Sequence, residues 1–171
     1  MAQPVHGLET AAESCASALY ILQPDRERVE RWLKALASKK YAFGFGMLRD
    51  YDDHYDPFGV LLDLHDVMWE LGDDGWGAEG STDSIAPARL SELLGVHAAD
   101  HQLLIELITL INDINDKAST FEDVHTVLTY GLNEMGARRG LGVKFADYAR
   151  DRYSHDDRFS PGRYGSMGGR R

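Results

Sequence analysis

The 171-residue sequence predicts a mainly α fold: one small domain of about five helices, with a short extended or hairpin element near residues 40–49. Three observations carry that prediction. Val29, Trp32, Leu33 and Leu36 recur at the spacing of one helix face. From Asp100 to Ile111 the leucines and isoleucines fall nearly all round, the mark of a helix enclosed on several sides. Gly44 and Gly46 alternate with aromatics in the run Lys40 to Arg49, a pattern for extended chain in which backbone approaches backbone closely.

The elements follow in order. Residues 1–22 are small residues with Glu9 and Glu13 and no basic leading stretch, so they read as a loosely ordered segment rather than a signal peptide. A core domain is expected over 23–135. Its first helix runs from about 25 to 38, with Glu27 to Arg31 and Glu30 to Lys34 spaced to pair on the outer face. After the glycine-aromatic element comes the acidic stretch Asp50 to Asp56, where Asp56-Pro57 supplies an N-cap and a proline suited to the first helical position. Phe58, Leu61, Leu62, His65 and Trp69 then predict a helix over 57–71. Residues 72–84, rich in glycine and serine around Trp76, predict a surface loop. Pro87 to Leu94 is a short helix stopped by Gly95, and Ser119 with Glu122 has the spacing of a capping box opening a helix over about 120–130.

Composition narrows the function classes. Hydrophobic residues at 43% and aromatics at 10% suffice for one domain with a proper core. A single cysteine, Cys15, excludes an internal disulfide framework and fits a reducing, bacterial-cytoplasmic setting. No uninterrupted apolar stretch approaches the roughly 20 residues that cross a bilayer, so no membrane partner is expected. The net charge of −10 divides into −15 over residues 1–136 and +5 over 137–171. An acidic body argues against duplex DNA as its ligand, because phosphate binding needs clustered Lys and Arg.

Residues 136–171 predict a flexible basic tail, with Val143 to Tyr153 as one short helix. Phe145, Tyr148, Tyr153, Phe159 and Tyr164 interleave with arginines there. Such aromatics stack on single-stranded bases while arginines meet phosphates, so a nucleic-acid-associated regulator acting through the tail is one functional alternative.

Lys40-Tyr41 … Gly44 … Gly46 … Leu48-Arg49, then Gly59-Val60-Leu61 … Asp63-Leu64 and a tryptophan, resembles a family of small proteins encoded by phages, prophages and plasmids. The resemblance extends through Pro87 to Gly95, Asn112-Asp113 and Phe121 to Val124, covering about 25–130. The family brings no activity with it. Its relatives often place cysteines just before Gly-Val-Leu, where this chain has Pro57-Phe58, so thiol or metal chemistry through those positions does not carry over. The resemblance implies an accessory protein of a phage or mobile element, and with the acidic body and the lack of a catalytic constellation the expected role is binding a host or phage protein.

Each candidate site has a plainer role beside it. Asp50, Asp52, Asp53 and Asp56 with His54 offer oxygen and imidazole donors for a cation, and a small metal-dependent enzyme is a third alternative. The loop fails the EF-hand pattern, with Tyr55 at the glycine position and Leu61 at the terminal glutamate, and is expected to be a solvated helix-capping loop. Asp113 to Asp116 lacks the same residues. His97 and His101, with His65, have zinc-like spacing on paper but are expected as ordinary surface histidines, and His125 as a half-buried packing residue. Neither a nucleophile elbow nor a phosphate loop occurs, so catalytic, cofactor and metal residues are not assigned. The predicted interaction site is Trp76, an exposed aromatic anchor in a rim of Asp73, Asp74 and Glu79, with packing of Trp76 against the core as the plainer alternative.

Overall fold

The computed structural model describes residues 3–96 and 100–137, with side chains described over 7–96 and 100–135. The leading segment departs from expectation: Gln3–Leu22 is a helix, α1. Its apolar positions Ala12, Cys15, Ala16, Leu19 and Leu22 follow the helical period and are buried. Most are small, so their hydrophobic signal is faint in the sequence. The same smallness lets α1 lie closely against the last helix, α6 (Glu122–Ala137). The core domain therefore begins near the start of α1 rather than at residue 23.

Helix α2 (Arg26–Ala37) is capped by Asp25, whose carboxylate accepts from the Arg28 amide, and buries Val29, Trp32, Leu33 and Leu36. On its outer face Glu30 pairs with Arg26 at 3.2 Å. Arg28 reaches across to the carbonyls of Glu92 and Leu93, closing the C-terminal end of α4 (Pro87–Leu94). Gly95 takes the left-handed conformation there, as its position predicts. Helix α5 (His101–Asp116) is capped by Asp100 and buries Leu104, Leu107, Ile111 and Ile114. It is not enclosed all round: Ile105 is exposed and Leu103 and Leu110 are half-buried, on the side facing α1. At α6 the Glu122 amide donates to Thr120 Oγ1 at 3.2 Å, so Thr120 does what was expected of Ser119. The helix also outruns its predicted end at 130. Six helices stand among the described residues, one more than predicted, and the fold is mainly α.

Between α2 and α4 lies a lobe of small strands. β1 (Ala42–Phe43) pairs in parallel with β2 (His54–Tyr55), so the extended element finds its partner beyond the acidic loop rather than as a hairpin within 40–49. A Cβ on Gly44 would come within 2.8 Å of the His54 Cβ and 3.0 Å of the Tyr55 nitrogen, which is the close backbone approach the glycine predicts. Helix α3 (Pro57–Leu64) begins at Asp56 and Pro57 as expected but stops seven residues short of 71. His65 caps it and Asp66 turns the chain with φ +54°. Trp69 thus leaves the helix and precedes β3 (Glu70–Leu71), which pairs antiparallel with β4 (Trp76–Gly77) inside the predicted loop. At Gly59 any side chain would overlap the Leu48 carbonyl oxygen, so α3 is pressed against the strand-like segment leading to Arg49. Asn115 of α5 ties the lobe to the bundle, donating to the Gly44 carbonyl at 2.8 Å.

No helix among the described residues is long and apolar enough to cross a membrane. The basic tail and its aromatics lie outside the described residues.

Candidate functional site

Arg49 organises the lobe. Its backbone bridges to Tyr55 on one side and Trp76 on the other, joining the two strand pairs. Its guanidinium lies over three rings, 5.4 Å from the centroid of Tyr55, 5.4 Å from Trp69 and 5.0 Å from Trp76. Asp53 accepts from the same guanidinium at 2.8 Å, at the solvent edge. A planar cation between ring faces suits arginine, and partial burial strengthens each contact.

A second carboxylate fixes the rings. Asp63 of α3 accepts from the Tyr41 hydroxyl at 2.9 Å and from Trp69 Nε1 at 3.0 Å, one to each oxygen. Tyr41 meets Tyr55 edge-on at 5.1 Å, and Tyr55 meets Trp69 likewise at 6.1 Å. Burial, reinforced by the hydrogen bond to Asp63 and its charge, raises the Tyr41 hydroxyl pKa and keeps it a donor at any physiological pH. Tyr55 is raised for the same leading reason. The result is a pre-organised plate of four rings and one cation.

The chain around these rings also carries exposed apolar side chains, Leu71 being the strand partner of Trp76. Met68 is 79% exposed, Leu71 69% and Tyr51 51%. Tyr51 donates its hydroxyl to the Gly72 carbonyl, placing its ring beside Leu71, while Met68 precedes Trp69. Asp52, Asp53, Asp66, Glu70, Asp73 and Asp74 are exposed around them. Trp76 is therefore not the exposed anchor predicted: it is half-buried beneath Arg49, and its packing role is the one observed. Glu79 also leaves the predicted rim, since it sits in the turn after β4 and pairs with Arg89 of α4 at 2.7 Å. Asp73 and Asp74 are exposed as expected.

The acidic loop disperses its carboxylates. Donor atoms of Asp50, Asp52 and His54 come within 4.8 Å of one another. Asp50 Oδ1 accepts from the amides of Asp52 and His54, and Oδ2 meets His54 Nδ1, each at 2.9 Å, so this carboxylate closes a turn. Burial pushes its pKa up, but the bonds from His54 and Asp52 outweigh that and hold it below the usual value. Asp53 serves Arg49, and Asp56 is buried as the α3 cap, accepting from Gly59 at 2.7 Å. Of the second acidic run, Asp113 pairs with Lys117 and Asn115 turns inward to Gly44. His101 is exposed in the first turn of α5, His65 caps α3 and His125 is half-buried on α6. His97 lies outside the described residues. Cys15 is buried, and burial pushes its thiol up to about 12, so it stays protonated at neutral pH.

Reasoning from sequence missed Arg49, Tyr55 and Trp69 as parts of one cluster, and the exposure of Met68 and Leu71. A signal existed: eight aromatics, from Tyr41 to Trp76, crowd 36 residues, too dense for an ordinary acidic loop. No protein-family model, curated protein or solved structure matches this chain.

Proposed function

We propose that this chain is an accessory protein of a phage or mobile element that acts by binding a protein partner, and that the binding face is the acid-rimmed plate around Arg49. The motif order over residues 25–130 supports the first half of that reading. The observation that carries the second is the exposure of Met68, Leu71 and Tyr51 on a rigid, pre-stacked base. Large apolar side chains grouped in a polar rim are the usual make-up of an interaction surface, and a pre-ordered base lowers the entropy lost on binding. The rim is anionic, so the matching partner segment is cationic, with apolar side chains to cover Met68 and Leu71.

The test is capture on an array of basic, neutral and acidic peptides, followed by affinity capture from the encoding host. Leu71→Asp with Met68→Asp should abolish binding to basic peptides while leaving the circular dichroism unchanged. A version ending at residue 137 should keep that binding. Retention of every partner by the double variant, or loss of all of them on truncation alone, overturns the assignment and turns attention to nucleic acid at the tail.

A further inference from the structure

A second surface is built by α1 and α5. Between them runs a groove of about 690 Å³. Ala18, Leu103, Leu107 and Leu110 line it, and Ile21 and Ile105 stand at its edge, 53% and 36% exposed. Its charged lining is of one sign, Glu13, Glu106 and Asp113, with no basic side chain among the described lining residues. Asp113 has a neighbour in Lys117 at 3.1 Å, a solvent-exposed pair that exchanges at little cost.

We propose that residues 141–153 of the same chain occupy this groove. Leu141, Phe145 and Tyr148 stand at i, i+4 and i+7, one apolar face, and Lys144, Arg150 and Arg152 against Asp147 and Asp151 leave the segment with a net charge of +1. That composition is complementary to the groove, apolar against apolar and cation against anion. Connectivity places the segment at hand. Tyr130 of α6 donates to Glu13, on the groove's lip, at 3.1 Å. From Tyr130 to the end of α6 at Ala137 is about 10 Å of helix, at 1.5 Å per residue. Four residues later the apolar face begins, so the tether is short and the local concentration is roughly 1 mM or more, as expected of short linkers. A second copy fits worse, since it would bring two surfaces of the same negative sign together. Glu13, Glu106 and Asp113 hold the bases, and the groove shields Phe145 and Tyr148 from water.

The experiment uses the full chain with a nitroxide on Ser154→Cys. Cys15 is buried with its thiol protonated, so the label goes to the new site. The expected result is paramagnetic broadening of the Ile21 and Ile105 methyl signals, unchanged on dilution, and lost in the surface variant Glu106→Lys with Asp113→Lys. Circular dichroism checks that this variant remains folded. Four results overturn the proposal. These are absence of broadening at the two isoleucines, broadening centred on Met68 and Leu71 instead, and broadening that survives the charge reversal. The fourth is broadening that arises only between labelled and isotope-labelled molecules, which assigns the groove to a second copy.

Discussion

Helix α5 buries Leu104, Leu107, Ile111 and Ile114 along sixteen residues, whereas each of the four strands in the adjoining lobe is two residues long. The bundle rests on repetition: many similar apolar side chains at helical spacing, each worth a modest amount and none special. The lobe has too few ladder bonds for that. It depends on single contacts, Arg49 among three rings, Asp63 between Tyr41 and Trp69, and Gly59 against Leu48. A bundle position tolerates a similar side chain, while a close backbone approach in the lobe such as Gly59 tolerates none.

The sharpest test of that contrast is Gly59→Ala. One added methyl group overlaps backbone on an element that cannot move without breaking the α3 cap, and we expect a loss of about 4 kcal/mol or failure to fold. Ala35→Gly in α2, a change of the same size, should cost only about 1 kcal/mol. Comparable urea midpoints for the two would break the distinction.

Asp56 gives the next effect, through pH. Burial raises its carboxyl to about 7, against the bonds from the Gly59 and Phe58 amides, with Asp116 adding to the rise. The folded protein therefore holds this proton more tightly than the unfolded chain, whose carboxyl titrates near 3.8. The stabilisation is complete below about 3.8, declines as pH rises to about 7 by at most about 1.4 kcal/mol per unit, and is flat above. Asp56→Asn keeps an N-capping side chain and removes the titration. Urea midpoints measured from about pH 4 to 8 should show a falling component in the natural protein that the variant lacks. Parallel curves would show that the cap is ionised throughout.

In the bundle, Leu104→Ala should cost about 3 kcal/mol, within the range of fully buried leucine truncations, and Lys34→Ala on the exposed face less than about 0.5 kcal/mol. Denaturant midpoints decide it, and equal effects would mean that α5 is not central. The smallest expected loss among the lobe changes is Arg49→Gln, about 1 to 2 kcal/mol, because the rings keep their mutual contacts and Asp63. Its distinguishing sign is local: Trp69 and Trp76 fluorescence should change and the exposed face should lose partner binding, while the helical circular dichroism stays constant.

Much of the bundle was legible before any coordinates. Val29, Trp32, Leu33 and Leu36 repeat at 3.6 residues, Asp56-Pro57 marks a helix start and Gly95 a stop, and these are local rules that need no knowledge of neighbours. Helix α1 was harder because alanine and cysteine bury little area each, so periodicity in small residues looks like none. Trp69 misled in the opposite direction, continuing the α3 stripe on paper although the chain turns at Asp66.

By itself the sequence determined the helical class, the acidic body with its basic end, the cap of α3, the stop of α4 at Gly95 and the glycine demanded at 44. Each of these follows from spacing or from the chemistry of adjacent residues. Only the tertiary structure decided that Arg49, Tyr55, Trp69 and Trp76 form one plate, that Trp76 supports the face instead of presenting it, and that α1 and α5 leave a groove open between them. Those relations join residues far apart in the chain, and whether two such side chains meet is decided by how the whole core packs, which no local pattern encodes.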